Sequence, residues 1–114
     1  MKAPSSPPNL TSTYIQLKDE LSATLEPITP HYWADLMKGQ RPDLDEGRMV
    51  MVLEGKSDWG TWEMHPAGDE IVSLISGSAR LLLERDEGVE IVEMTSPGDF
   101  ALIPKGIWHT AKIS

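Results

Sequence analysis

The sequence predicts an all-β fold, a sandwich or barrel, with one short helix near its N-terminus. From Arg48 onward, short runs of apolar and β-branched residues recur at about 8 to 12 residues, the spacing of sandwich and barrel strands. Turns containing Gly or Pro separate these runs. Only one segment, Thr29 to Gly39, carries helical spacing.

Taken in order, the opening Lys2-Ala3-Pro4-Ser5-Ser6-Pro7-Pro8-Asn9 forms neither helix nor central strand, so residues 1–12 are expected to be a flexible tail. Residues 13–114 are expected to form a single domain. Thr13 to Leu17 reads as an edge strand, Lys18 to Leu21 as a turn, and Ala23 to Ile28 as a second short strand that Pro27 confines to an edge. In the helix, Thr29 suits the N-cap and Pro30 the first position. Tyr32, Trp33, Leu36 and Met37 make one apolar face, Gly39 closes the helix, and His31 is expected at the surface.

The strands that follow are expected at Met49–Glu54, Gly60–His65, Glu70–Ile75, Ala79–Arg85, Val89–Thr95, Phe100–Ile103 and Ile107–Ile113. The turns between them fall at Gly55–Asp58, Pro66–Asp69, Gly77, Asp86–Gly88, Ser96–Asp99 and Pro104–Gly106. Met49, Met51, Met64 and Met94 read as strand packing.

Composition narrows the functional classes. The chain has 114 residues, enough for one self-supporting core, and no cysteine, so disulfides and thiolate metal sites are excluded. His, Asp and Glu are left as the strong candidate ligands. A net charge of -8 with no Lys/Arg cluster argues against nucleic acid and anionic membranes as partners. No apolar run of membrane-spanning length and no signal-peptide h-region occur, so a cytoplasmic protein is expected.

The chemistry-bearing residues fall in two segments. In Trp62-Glu63-Met64-His65-Pro66-Ala67-Gly68-Asp69-Glu70, strand periodicity projects Glu63 and His65 to one face and Trp62 and Met64 to the other. The four-residue turn then brings Glu70 beside His65, with Val72 and Leu74 continuing the Glu70 face into an apolar interior. A His flanked by two carboxylates suits a metal ion, and equally a salt-bridged surface patch. The second segment, Gly98 to His109, is a strand, a Pro-x-Gly turn and a strand bearing a histidine. Trp108 is expected to face away from His109. Trp62 and Trp108 are expected to pack between sheets or at a subunit interface, and Trp59 is placed before the first segment without a fixed direction.

Together these segments resemble the two-part signature of the cupin superfamily. The first cupin motif reads Gly, five residues, His-x-His, three or four residues, Glu, six residues, Gly. Here His65, Glu70 and Gly77 fall in register, and Glu63 stands where the first histidine belongs. The second reads Gly, five residues, Pro-x-Gly, two residues, His, three residues, Asn. Gly98, Pro104, Gly106 and His109 match it, and Ile113 replaces the asparagine. The resemblance spans about Gly60 to Ile113, and the gap of twenty residues from Ser78 to Pro97 is that of compact members.

The resemblance implies a double-stranded β-helix, the jelly-roll barrel, often dimeric, holding one divalent metal ion (Mn, Fe, Ni or Zn) on Glu63, His65, Glu70 and His109. Three readings of Glu63 stand open. It is a ligand whose second carboxylate charge favours harder ions; or a general base beside a triad of His65, Glu70 and His109; or the partner of a cation in a site that has lost its metal. The family implies either a metal-dependent enzyme (a dioxygenase, isomerase or lyase) acting on a small oxygen-rich molecule, or a non-catalytic small-molecule-binding or sensing module. The chain runs five residues past His109, where many cupins have a further strand. The final pairing is expected to come from a partner subunit or from the N-terminal strand, or to be absent in a shortened form; a missing strand would leave an edge that favours self-association, and a homodimer is expected.

Overall fold

A computed structural model describes residues 6–113, which carry eight strands and one α-helix. The part of the expected tail at residues 1–5 lies outside the described residues. From Asn9 the chain is turned: the Asn9 carbonyl accepts the N–H of Ser12 (3.0 Å) and of Thr13 (2.8 Å), and its side chain accepts the N–H of Thr11 (2.9 Å). The fold is mostly β, in three antiparallel sheets of which none closes on itself. Contacts divide it into two compact units, one running to Glu54 and one beginning at Gly55.

In the first unit, β1 (Thr13–Leu17) lies between β2 (Ala23–Pro27) and β3 (Arg48–Val50). Pro27, which has no N–H to give, sits at the end of the edge strand β2, as its chemistry requires. Tyr14 and Gln16 alternate inward along β1. The Gln16 amide is satisfied by donating to the carbonyls of Asp43 (2.8 Å) and Glu46 (3.0 Å), which fastens an unexpected 3-10 turn, Pro42–Asp45, onto the sheet. Gly47 follows at φ +70, and a Cβ there would lie 1.8 Å from the Leu17 carbonyl oxygen, so only glycine fits.

The helix α1 (Tyr32–Met37) starts later than its sequence suggests. His31, exposed as expected, occupies the N-cap without a side-chain hydrogen bond. Thr29 does not cap. Its carbonyl accepts the Tyr32 N–H (3.1 Å), so Thr29-Pro30 forms a turn ahead of the helix. Six residues make less than two turns, too short to bury a full stripe: Tyr32 is buried, whereas Trp33 and Met37 are exposed. Gly39 closes the helix by donating to Leu36 (3.1 Å). Tyr14, Tyr32 and Leu44 form the core of this unit, with Met49 and Met51 packed on it.

In the second unit, β4 (Glu70–Ser73) pairs with β7 (Phe100–Ile103). A second sheet has the order β6-β5-β8, with β5 at Ala79–Arg85, β6 at Gly88–Met94 and β8 at His109–Ile113. Alternation sends Ala79, Leu81, Leu83, Met94, Ala101, Ile103 and Ala111 into one core, with Val72, Leu74 and Ile107 packed against it. Ile71, Phe100 and Leu102 point the other way and are exposed.

The segment expected as a strand at Gly60–His65 is not a regular one. It makes a single bridge, Glu63 to His109. β3 ends at Val50 instead of Glu54, β4 ends at Ser73 instead of Ile75, and β8 begins at His109 instead of Ile107. No helix among the described residues is long and apolar enough to cross a membrane.

Asp99 anchors the turn between β6 and β7. Its carboxylate accepts the N–H groups of Ser96 and Thr95, each at 3.0 Å, and these bonds hold its carboxyl below the ordinary value of 3.8. A carboxyl depressed in the folded state adds stability that is complete above the ordinary value and is lost as pH falls through the folded one. Chemical denaturation at about pH 5 and about pH 3 is therefore expected to show a larger acid loss for the wild type than for Asp99→Asn. Equal losses would detach this turn from acid stability.

Candidate metal centre

The site is assembled on β8. This strand pairs with β5 on one side, with His109 opposite Leu83, and with the irregular segment Trp59–His65 on the other. Glu63 and His109 exchange both backbone hydrogen bonds at 2.8 Å. Directly opposed residues of an antiparallel pair place their side chains on the same face, so this exchange sets Glu63 beside His109. His65 follows two residues on and shares that face, and its carbonyl accepts the Gly106 N–H (2.9 Å).

The irregularity is a bulge. The next anchor in the other direction is the Trp59 N–H donated to the Ala111 carbonyl (3.0 Å). Between the two anchors lie Gly60, Thr61 and Trp62 on one chain and only Thr110 on the other. Surplus residues cannot continue a ladder, which is why the expected strand is broken. Thr110, 2% exposed, stitches the bulge by donating its hydroxyl to the Thr61 carbonyl (2.9 Å).

Glu70 arrives from the neighbouring sheet. The Pro66–Asp69 turn is tied to the Pro104–Gly106 turn by Asp69, whose carboxylate accepts the Lys105 N–H (2.9 Å). Gly106 holds φ +82 in that turn, a conformation glycine adopts without strain. The Glu70 carboxylate then bridges both histidines: Oε1 lies 3.0 Å from His109 Nε2, and Oε2 lies 3.5 Å from His65 Nε2. The two imidazole rings are 5.5 Å apart, centroid to centroid. Ligand atoms of Glu63, His65 and His109 all lie within 4.8 Å of one another, a group able to hold a metal ion. All four residues singled out in the sequence thus converge.

The protonation pattern of His109 is informative. Its Nδ1 lies 3.0 Å from the Ile107 carbonyl oxygen, which can only accept, so Nδ1 carries the hydrogen. In the neutral ring Nε2 then presents a lone pair. That nitrogen and Glu70 Oε1 are both buried and have no hydrogen-bond partner, although they stand 3.0 Å apart. Their separation is that of a hydrogen bond but their alignment is not. With the ring neutral the two atoms face each other as acceptors, and a proton or a metal ion shared between them would satisfy both. A carbonyl-oriented imidazole with its other nitrogen free is also the usual posture of a metal-ligating histidine.

Burial is graded across the site. The His109 side chain is 0% exposed, that of Glu70 34% and that of His65 50%; Glu63 is also exposed. The floor is sealed and the rim is open to solvent. Trp108 and Trp62 are both exposed and belong to neither hydrophobic core. Trp59 packs against the core with its ring 6.4 Å from that of His109. Sequence reasoning did not single out Ile107 as the acceptor for His109, nor Thr110 and Asp69 as fasteners. Only Asp69, at the end of a Pro-Ala-Gly-Asp turn, carried a local signal.

Comparison with known proteins finds no family model, no curated protein and no solved structure that matches this chain.

The bulge stitch makes a testable point. Thr110→Val preserves volume but removes the hydroxyl, and is expected to cost about 1 kcal/mol in urea denaturation. An unchanged midpoint would show that the bulge holds without it.

Proposed function

We propose that this chain is a small cupin-like protein that binds one divalent metal ion on Glu63, His65, Glu70 and His109 and presents its open side to a small oxygen-rich molecule. The observation that carries this reading is the buried, unpartnered Nε2 of His109 facing the buried, unpartnered Oε1 of Glu70, with Nδ1 already committed to Ile107. His65 and Glu63 bring further donor atoms within 4.8 Å of one another and of His109, as ligands around an ion do.

The donor set fits the group. Two imidazoles and two carboxylates suit Mn, Fe, Ni or Zn, and the absence of thiolate disfavours soft ions. Glu63 belongs with the ligands, because its carboxylate reaches the two histidines. A bound ion there supplies Lewis acidity and a template for an oxygen ligand. The chain's own residues do the rest: Ile107 orients His109, Glu70 spans the two imidazoles, and the exposed Glu63 and His65 leave the approach open. The motif register of His65, Glu70, Gly77, Gly98, Pro104, Gly106 and His109 supports a jelly-roll arrangement, and the exposed apolar face of β4 and β7 supports self-association into a homodimer.

A binding or sensing role is favoured over catalysis by the openness of the rim. Half of the His65 side chain meets water, whereas metal-assisted chemistry gains most in a closed, dry site.

The test is metal content by mass spectrometry on untagged protein. Near-stoichiometric Mn, Fe, Ni or Zn is expected in the wild type, and at least a tenfold loss of affinity in His109→Ala. Wild-type protein that takes up none of these ions, even after incubation with each, would overturn the reading.

A further inference from the structure

The site has an asymmetry of charge that bears on what it admits. Its two carboxylates, Glu63 and Glu70, cancel the charge of a divalent ion, and its two histidines add none when they ligate as neutral rings. Among the described residues, no ion pair joins any Lys or Arg to Glu63, His65 or Glu70. Lys112 pairs with Asp58 (3.9 Å) and Arg85 with Glu90 (3.5 Å), while Lys105, in the turn beside His65, gives its backbone N–H to Asp69 and makes no ion pair with the site's carboxylates. From Gly55 onward the chain has ten acidic residues against five basic ones. Glu63 is the more exposed of the two carboxylates and lies on the rim with His65, within 4.8 Å of a ring nitrogen of His109.

We propose that Glu63 makes this site selective for uncharged oxygen or nitrogen donors and turns away carboxylates and other anions. This rests on the metal-binding reading above. An anion entering an ion already neutralised by Glu63 and Glu70 gains little Coulomb attraction, and it must approach the Glu63 carboxylate at close range. An uncharged ligand, such as a molecule with adjacent hydroxyl or carbonyl oxygens, bears neither cost. The substrate or effector class is accordingly a neutral polyol or hydroxycarbonyl compound, not an organic acid.

The experiment uses the full chain loaded with Co²⁺, whose visible absorption reports changes in its ligands. It is titrated with azide as the anionic probe and imidazole as the neutral one, at about pH 8, well above the roughly 6.5 of an imidazole group. The wild type is expected to respond to imidazole at lower concentration than to azide. Glu63→Gln is expected to tighten azide about tenfold or more while leaving imidazole within about twofold. Glu63→His, which keeps a fourth ligand while removing the charge, is expected to behave in the same way and covers the case in which the glutamine variant sheds its ion. Azide binding to the wild type as tightly as imidazole, or azide and imidazole tightening in parallel in either variant, overturns the selectivity but leaves the metal site standing. A wild-type chain that shows no Co²⁺ absorption overturns the metal reading and this inference with it.

Discussion

His109 is fully buried on a strand hydrogen-bonded on both sides, with one ring nitrogen given to the Ile107 carbonyl and the other facing the Glu70 carboxylate at 3.0 Å without a hydrogen bond. Burying a polar atom without a partner costs on the order of 1–3 kcal/mol, and here two such atoms are buried together. An apolar residue at this place would pack beside Leu83 without that cost. The protein instead keeps an imidazole, turns it with a backbone carbonyl, and brings a carboxylate from another sheet to meet it. A proton or a metal ion shared by the two atoms would remove that cost.

Much of the second unit can be understood as support for that meeting. Pairing with β5 fixes β8 against the apolar core, so the floor of the site is rigid. The bulge at Gly60–Trp62 absorbs surplus residues so that Glu63 still falls opposite His109, and Thr110 ties the bulge down from below. The turn before Glu70 and the turn before Ile107 are joined through Asp69, and so the two sheets bring Glu70 and His109 together. The rim is less constrained: Glu63 and His65 are exposed to solvent.

What the sequence revealed and what it concealed divide along the range of the interactions. The β5–β6 hairpin, β7 and the packing of Met94 follow from alternation and turn chemistry, which are local. So do the shared face of Glu63 and His65 and the closeness of His65 to Glu70, since both depend on period two and a four-residue turn. The helix start was hidden because Thr29-Pro30 suits a turn as well as a cap, and tertiary burial of Tyr32 chose between them. The bulge was hidden because it depends on a cross-strand count, three residues against one, that no single segment displays. The orientation of His109 was hidden too: every residue has a carbonyl, so nothing marks Ile107 as its acceptor.

The central claim is that a cation belongs against Nε2 of His109, and anomalous diffraction from crystals grown with Zn²⁺ or Mn²⁺ tests it most directly. The account predicts one strong peak about 2.0–2.2 Å from that nitrogen, with Glu63, His65 and Glu70 completing its ligands. A peak elsewhere, or none, with Nε2 of His109 still facing Glu70 unaccompanied, would contradict it.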